Sequence, residues 1–268
     1  MTASEHEKIQ QAGRLLWEAS VTRQAIPPVR NLVGADDISI GYAIQELLTL
    51  RKLRDGGRVV GRKIGLTSPA VQQQLGVGQP DFGILFHDMA RTELEAIDLR
   101  SLIAPKVEAE VAFVLAADLD DRELSREAVR DKVDYVAPAL EIVDSRIKNW
   151  DISIVDTVAD NASSALFVLG QQKTPIDDLD LAGVQMELIN AGDVVSTGDG
   201  AACLGSPLNA LLWLARTYRK LGRNLRAGEV ILSGALGPMA PVEPGAEYRA
   251  TISGIGTVSA RFDEGEPA

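Results

Sequence analysis

The run Lys106-Val107-Glu108-Ala109-Glu110-Val111-Ala112-Phe113-Val114-Leu115 constrains this chain more than any other stretch. Strand alternation puts Val107, Ala109, Val111 and Phe113 on one face and Glu108, Glu110, Ala112 and Val114 on the other. Both faces turn apolar within one step of Glu110, the pattern of a strand that runs into a core. Two glutamates stand at its mouth on one face, roughly 7 Å apart along the backbone. Acids so placed repel unless a cation or solvent lies between them. A wet glutamate face is the plain reading of the pair alone; the buried continuation of the strand favours a shared cation. A second apolar run, Ala137-Pro138-Ala139-Leu140-Glu141-Ile142-Val143, carries a third acid. A charge there is costly to bury without a partner, unless it sits on an edge strand facing water. Three glutamates on two strands can supply oxygens to an octahedral Mg²⁺ and leave positions for water and substrate.

Composition narrows the metal chemistry. The chain holds one cysteine, Cys203, and two histidines, His6 and His87, so a disulfide within the chain and a zinc site of several Cys and His ligands are both excluded. Carboxylate ligands point instead to magnesium, manganese or calcium. With 27 Lys and Arg against 38 Asp and Glu, the net charge of −11 argues against nucleic acid and against anionic membrane surfaces as partners. No segment has the ~18 apolar residues needed to span a bilayer. Met1 to Gln11 is polar and charged, unlike a secretory leader, and a cytoplasmic protein is expected.

The rest of the chain reads as α+β. Ile9, Ala12, Leu15, Leu16 and Ala19 form one helical stripe, and Ile40, Ala43, Ile44, Leu47 and Leu48 a second, with Asp36 or Asp37 as N-cap. Arg58 to Ile64 reads as a strand, and Ser68-Pro69 opens a short helix ending before Gly76. Gly76 to Gly83 reads as a glycine-rich loop. Strands are expected at Val107–Leu115, Tyr135–Val143, Ala165–Leu169, Val184–Ile189, Glu229–Leu232, Glu247–Ile252 and Thr257–Phe262. Helices are expected near Arg122–Lys132 and from Ser206-Pro207 to Leu221. Strands and helices do not alternate, which disfavours a doubly wound βαβ fold. The organisation expected is a helical N-terminal region, 1–75, packed on a mixed β catalytic domain, 76–268, as a single functional unit.

Other candidates are weaker alone. Lys63, in Gly61-Arg62-Lys63-Ile64-Gly65-Leu66-Thr67, is a carboxylate-binding or proton-donating cation, or a solvated lysine beside Arg62. Asp81 falls in a turn-prone stretch where Asp is locally favoured. Asp156 to Ser163 reads as a polar loop, in which Ser163 binds a substrate carboxylate or closes the turn. With no histidine near it in sequence, a Ser-His-Asp triad has no support. Cys203 is read as a small buried residue.

Taken in order, Gly61 to Thr67, Gln79-Pro80-Asp81-Phe82-Gly83, Pro105 to Glu110, Pro138-Ala139-Leu140-Glu141 and Asp156 to Ser163 resemble the 2-keto-4-pentenoate hydratase group of the fumarylacetoacetate hydrolase superfamily. Leu232-Ser233-Gly234-Ala235-Leu236-Gly237-Pro238-Met239 also resembles the hydratase branch. The resemblance covers about Ile40 to Phe262. It implies a mixed β-roll or barrel-like catalytic fold and a homo-oligomer. It implies Mg²⁺ or Mn²⁺ on Glu108, Glu110 and Glu141, catalytic roles for Lys63, Asp81 and Ser163, and pocket-lining roles for Val107 and Leu66. The activity implied is hydration of 2-hydroxypenta-2,4-dienoate, a small 2-oxo acid in its enol form, in aromatic meta-cleavage catabolism. Association with other enzymes of that pathway is a further implication. The family alternative is 4-oxalocrotonate decarboxylase, which must hold a second carboxylate with a cation such as Arg62 or Arg146. Hydrolysis ranks lower, because the related hydrolases use a Glu–His pair. A non-catalytic scaffold subunit would not need an intact set of Lys63, Glu108, Glu110 and Glu141.

Overall fold

The protein is described by a computed structural model covering residues 3–68, 72–73, 77–121, 123–177 and 179–267. Helices α1 (Ala3–Thr22), α2 (Arg30–Val33) and α3 (Ile38–Arg54) come first. Strands β1 (Val59–Gly65), β2 (Asp81–Phe86), β3 (Ala90–Arg91), β4 (Ala96–Ile97) and β5 (Lys106–Leu115) follow. Helix α4 (Arg126–Arg130) leads to β6 (Val133–Val143), α5 (Ile154–Ala159), β7 (Ser164–Leu169), β8 (Gln185–Asn190) and β9 (Asp193–Asp199). The chain closes with α6 (Pro207–Lys220), β10 (Val230–Ala235), β11 (Ala240–Pro241), β12 (Glu247–Ile252) and β13 (Gly256–Phe262).

The architecture is α+β, with two mixed sheets. The larger runs β2-β1-β10-β5-β6-β7-β3, with β11 paired to β5; the smaller runs β4-β13-β12-β8-β9. Among the described strands, only β1–β10, β3–β7 and β4–β13 pair in parallel. The smaller sheet packs through β12 and β13 against β6. Strands β5 and β6 are the longest pair, in register from Lys106↔Val143 to Leu115↔Val133. Apart from half-buried Val114 and Tyr135, their apolar residues on both faces are buried, as the sequence of β5 requires.

The N-terminal helices have their own small core of Ile9, Ala12, Leu16, Val29, Ile44, Ile147 and Ala159. Asp37 caps α3 by accepting from the Ser39 amide at 2.9 Å. Buried Gln45 ties this helix to the sheet, its Nε2 donating to Phe82 O at 2.9 Å and to Val158 O at 3.1 Å. Strand β1, which precedes residue 75, is an inner strand of the large sheet between β2 and β10.

Two local readings change, and one strand lies outside those expected. Asp81–Phe86 is a buried strand, not loop, because β1 offers it an antiparallel ladder from Val59↔Phe86 to Gly65↔Asp81 that its glycine-rich sequence does not announce. Ile154–Ala159 is a helix, not a polar loop: Asp156 caps it by accepting from Ser153 N at 2.8 Å and Ser153 Oγ at 2.9 Å. Polar, exposed β9 is an edge strand, turned back from β8 by Ala191 (φ 52°) and Gly192 (φ 90°), a left-handed pair suited to a tight hairpin. The helix expected from Ser68-Pro69 falls mainly on 69–71 and 74–76, outside the described residues, as does Arg122, the expected start of α4. No helix among the described residues is long and apolar enough to cross a membrane.

Candidate active site

The site spreads over five consecutive strands, β2-β1-β10-β5-β6. Glu108 and Glu141 are direct register partners across β5 and β6, and Glu110 lies two residues along the same face. One oxygen from each of the three lies within 4.8 Å of the others. Glu110 and Glu141 are fully buried, and Glu108 keeps some access to solvent. Neither Glu110 Oε1 nor Glu141 Oε1 has a hydrogen-bond partner. Orphaned, converging carboxylate oxygens at this spacing are the donor set of a hard divalent cation, so the residues fit the metal that the sequence suggested.

Lys63 is the counter-charge inside the site. It is 3 % exposed, and its Nζ stands 3.2 Å from Glu141 Oε2 while donating to Ala162 O at 3.0 Å. Burial alone would lower its pKa; the combined pull of Glu141, Asp81, Glu108 and Glu110 outweighs it and holds the ammonium charged. Asp81 opens β2 opposite Gly65, and a Cβ on Gly65 would run into Asp81 Oδ1 and come within 3.5 Å of Lys63 Nζ. Its Oδ1 is buried without a partner. Burial lifts the Asp81 carboxyl to about 6 despite Lys63. Burial likewise lifts Glu108 to about 7, and burial with Glu141 and Glu108 nearby pushes Glu110 well above its ordinary value. Four acids around one ammonium leave an excess of negative charge in a dry place, which a divalent ion offsets.

Ser163 closes a turn in which Asn161, Ala162 and Ser163 are all left-handed, at φ 57°, 53° and 53°. Three such non-glycine residues in a row are strained. The turn presents Ala162 O to Lys63 and buries Ser163, whose Oγ lies 3.3 Å from Thr157 Oγ1. Leu66, half-buried just past β1, is also left-handed at φ 56°. Val107 does not join the cluster. Alternation turns its side chain to the face opposite Glu108, where it is fully buried in the main core. His6 and His87 are both exposed, away from the glutamates.

Strand β10 supplies a support that the sequence reading did not single out as functional. Leu232 pairs with Ala112 and Ala235 with Glu110, leaving an extra residue as a β-bulge. The bulge aims Gly234 N at Glu110 Oε2, at 2.7 Å, and Ser233 Oγ accepts from Val111 N at 3.2 Å. Gly234 has φ 98°, and a Cβ there would overlap the Thr67 hydroxyl. Buried Cys203 donates to Gly234 O at 2.9 Å; burial and Glu110 push its thiol up to about 12, so it stays protonated. Gly234→Ala is therefore expected to weaken Mg²⁺ binding about 10–100-fold, the range for lost support of a metal ligand. Calorimetric titration reads this, and an unchanged affinity would show that the bulge does not hold Glu110.

A mixed sheet with three converging glutamates on paired strands and a buried lysine beside them is an arrangement that could hold a divalent cation. The fumarylacetoacetate (FAA) hydrolase C-terminal family matches residues 64–263. The chain belongs to the fumarylacetoacetate hydrolase family. It is 54 % identical over 254 residues, 95 % of each chain, to the TodF product hydratase of Pseudomonas putida F1. It is 52 % identical to a 2-keto-4-pentenoate hydratase of Paraburkholderia xenovorans LB400, across 99 % of this chain and 98 % of that one. Among solved structures, 4-oxalocrotonate decarboxylase from Pseudomonas putida G7, complexed with magnesium and adipate, superposes with a TM-score of 0.91 at 33 % identity, over 96 % of this chain and 98 % of that one.

Proposed function

We propose that this chain is a metal-dependent hydro-lyase that adds water to 2-hydroxypenta-2,4-dienoate to give 4-hydroxy-2-oxopentanoate. The observation that carries the reading is the three-glutamate cluster on β5 and β6 with Lys63 of β1 and Asp81 of β2 beside it. Hydratase relatives at about half identity over nearly the whole chain support it. Glu108, Glu110 and Glu141 would hold Mg²⁺ or Mn²⁺; the solved decarboxylase is complexed with magnesium. When bound, the ion supplies Lewis-acid stabilisation of charge on the C2 oxygen of the substrate. The chain's own residues handle the protons that move to C5 and from the water added at C4. Lys63 is an oriented ammonium, and Asp81 Oδ1 is a buried acceptor not committed to any other group. Ser163 contacts the substrate carboxylate, and Leu66 provides an apolar wall. The protein works in the cytoplasm as a homo-oligomer, in the meta-cleavage route for aromatic compounds, with residues 1–75 and 76–268 acting as one unit.

Decarboxylation requires a cation for a second substrate carboxylate. Arg62 is engaged by Tyr218 OH, by Gly61 O at 2.6 Å and by Glu229 at 3.3 Å. Arg146 is engaged by Asp160. Lys106, on the glutamate face, stacks 4.3 Å from the Trp150 ring centroid. With both arginines occupied, hydration is favoured. The test measures loss of dienol absorbance and release of CO₂ from 2-oxo-3-hexenedioate, using the purified chain with Mg²⁺ and after chelation. Hydration that disappears with EDTA and returns with Mg²⁺ is expected; CO₂ release without hydration would overturn the reading.

A further inference from the structure

We propose that Asn161 is the positioning residue for the Lys63 ammonium, acting through the carbonyl of Ala162. The inference rests on the catalytic role assigned to Lys63 above. The Asn161 side chain is not a hydrogen-bond partner of Lys63. It instead imitates a strand neighbour for β2: Oδ1 accepts from Ile84 N at 2.7 Å, and Nδ2 donates to Ile84 O at 2.9 Å. Ile84 lies one residue past Gly83, which is the register partner of Lys63 on β1. The double bond therefore clamps the start of the left-handed turn to the backbone beside Lys63. The next residue, Ala162, then aims its carbonyl at Lys63 Nζ at 3.0 Å.

Two further observations fit this clamp. Gly83 leaves the room: a Cβ there would overlap Asn161 O and lie 3.2 Å from Lys63 Cγ. The segment leading into the turn is also anchored at two points. Fully buried Asp156 accepts from Arg30 N at 2.9 Å and pairs with Arg30 Nη1 at 2.6 Å, while Asp160 holds the guanidinium of Arg146. Asparagine suits the position for a second reason, because it tolerates the left-handed region better than most residues. An ammonium on a four-carbon stem has three donors and many rotamers. A fixed acceptor opposite Glu141 selects among those rotamers, which is what a proton donor needs for alignment with a bound substrate.

Asn161→Gly keeps the left-handed backbone and removes only the clamp. It is expected to lower kcat about 10²-fold, the scale of a misplacement near 1 Å, with KM and Mg²⁺ affinity within about threefold of the parent protein. In a Lys63→Met background the same change should have no further effect, because the group it positions is gone. Asn161→Asp keeps the acceptor for Ile84 N, loses the donor to Ile84 O, and is expected to lose about tenfold; it serves as the test if the glycine variant does not fold. Thermal melts and Mn²⁺ binding followed by electron paramagnetic resonance accompany each variant. Unchanged kcat in the single variants overturns the proposal, as does an equal loss in the Lys63→Met background or a loss that tracks metal affinity. If Lys63→Met itself turns over normally, the role assigned to Lys63 fails instead, and the two failures are told apart.

Discussion

Glu110→Gln should remove Mg²⁺-dependent turnover and at the same time raise the melting temperature of the metal-free protein. Glu110 is fully buried, with one oxygen held by Gly234 N and the other unpartnered beside two more acids. Glutamine keeps an oxygen for Gly234 and turns an amide donor toward Glu108 and Glu141. One buried negative charge disappears, and its neighbours gain a hydrogen bond. Turnover at saturating Mg²⁺ is expected to fall about 10³-fold, since Lewis-acid stabilisation contributes several kcal/mol. The metal-free melt should rise by a few degrees, at about 2–4 °C per kcal/mol for a chain of this size. Dienol absorbance and calorimetry check the two halves; unchanged turnover with unchanged metal affinity would sink the ligand assignment.

The same cluster sets a pH dependence whose sign follows from the direction of the shifts. Folded Glu108 titrates at about 7 and Asp81 at about 6, against 4.5 and 3.8 for the free side chains, and Glu110 is shifted the same way. Between those limits the folded state binds more protons than the unfolded one. Stability of the metal-free protein therefore falls as pH rises from about 4 to about 7. Raised Lys63 acts in the same direction but only above its ordinary range, so it does not alter that window. Metal binding releases those protons, and saturating Mg²⁺ should flatten the curve. Denaturant titrations at several pH values, with and without EDTA, measure the difference; a metal-free protein that gains stability over that range would contradict it.

Lys63→Met is expected to cost both catalysis and stability, and the second effect should depend on metal. Methionine fills the volume of the stem, so the change isolates the ammonium. Losing a group that takes part in proton transfer lowers kcat about 10²–10⁴-fold. Removing the cation also strands Glu141 and Asp81 in a buried site, at about 3–5 kcal/mol for a broken buried pair. That loss should be largest in metal-free protein near pH 8. It should shrink when Mg²⁺ is added, and shrink again near pH 5, where the carboxylates take up protons. A loss that is the same under all three conditions would mean that Lys63 stabilises by packing alone.

Much of the site is legible in the order of residues because strands encode facing directly. Glu108 and Glu110 share a face by alternation alone, and Glu141 stands out as a charge in an apolar run. The resemblance named Lys63, Asp81 and Ser163, and the structure brings Lys63 and Asp81 beside the glutamates and Ser163 next to the carbonyl that holds Lys63. Val107 shows the opposite case: adjacency to a ligand in sequence is separation in space, because neighbours on a strand point to opposite faces.

The supports were not legible, for one physical reason. Each depends on a register or a backbone angle that residue type alone does not specify. Gly76 to Gly83 carries loop composition, yet the ladder from β1 makes a buried strand of Asp81 onward. The bulge at Ser233-Gly234 exists only against β5, and the left-handed turn at Asn161 only against Ile84. From the sequence alone came which side chains carry charge into an apolar interior, and so the class of cation they would hold; the reaction came from the resemblance. Tertiary structure decided which backbone groups meet them, because a hydrogen bond to Glu110 or Lys63 requires two segments distant in the chain to agree on a position to within a fraction of an ångström.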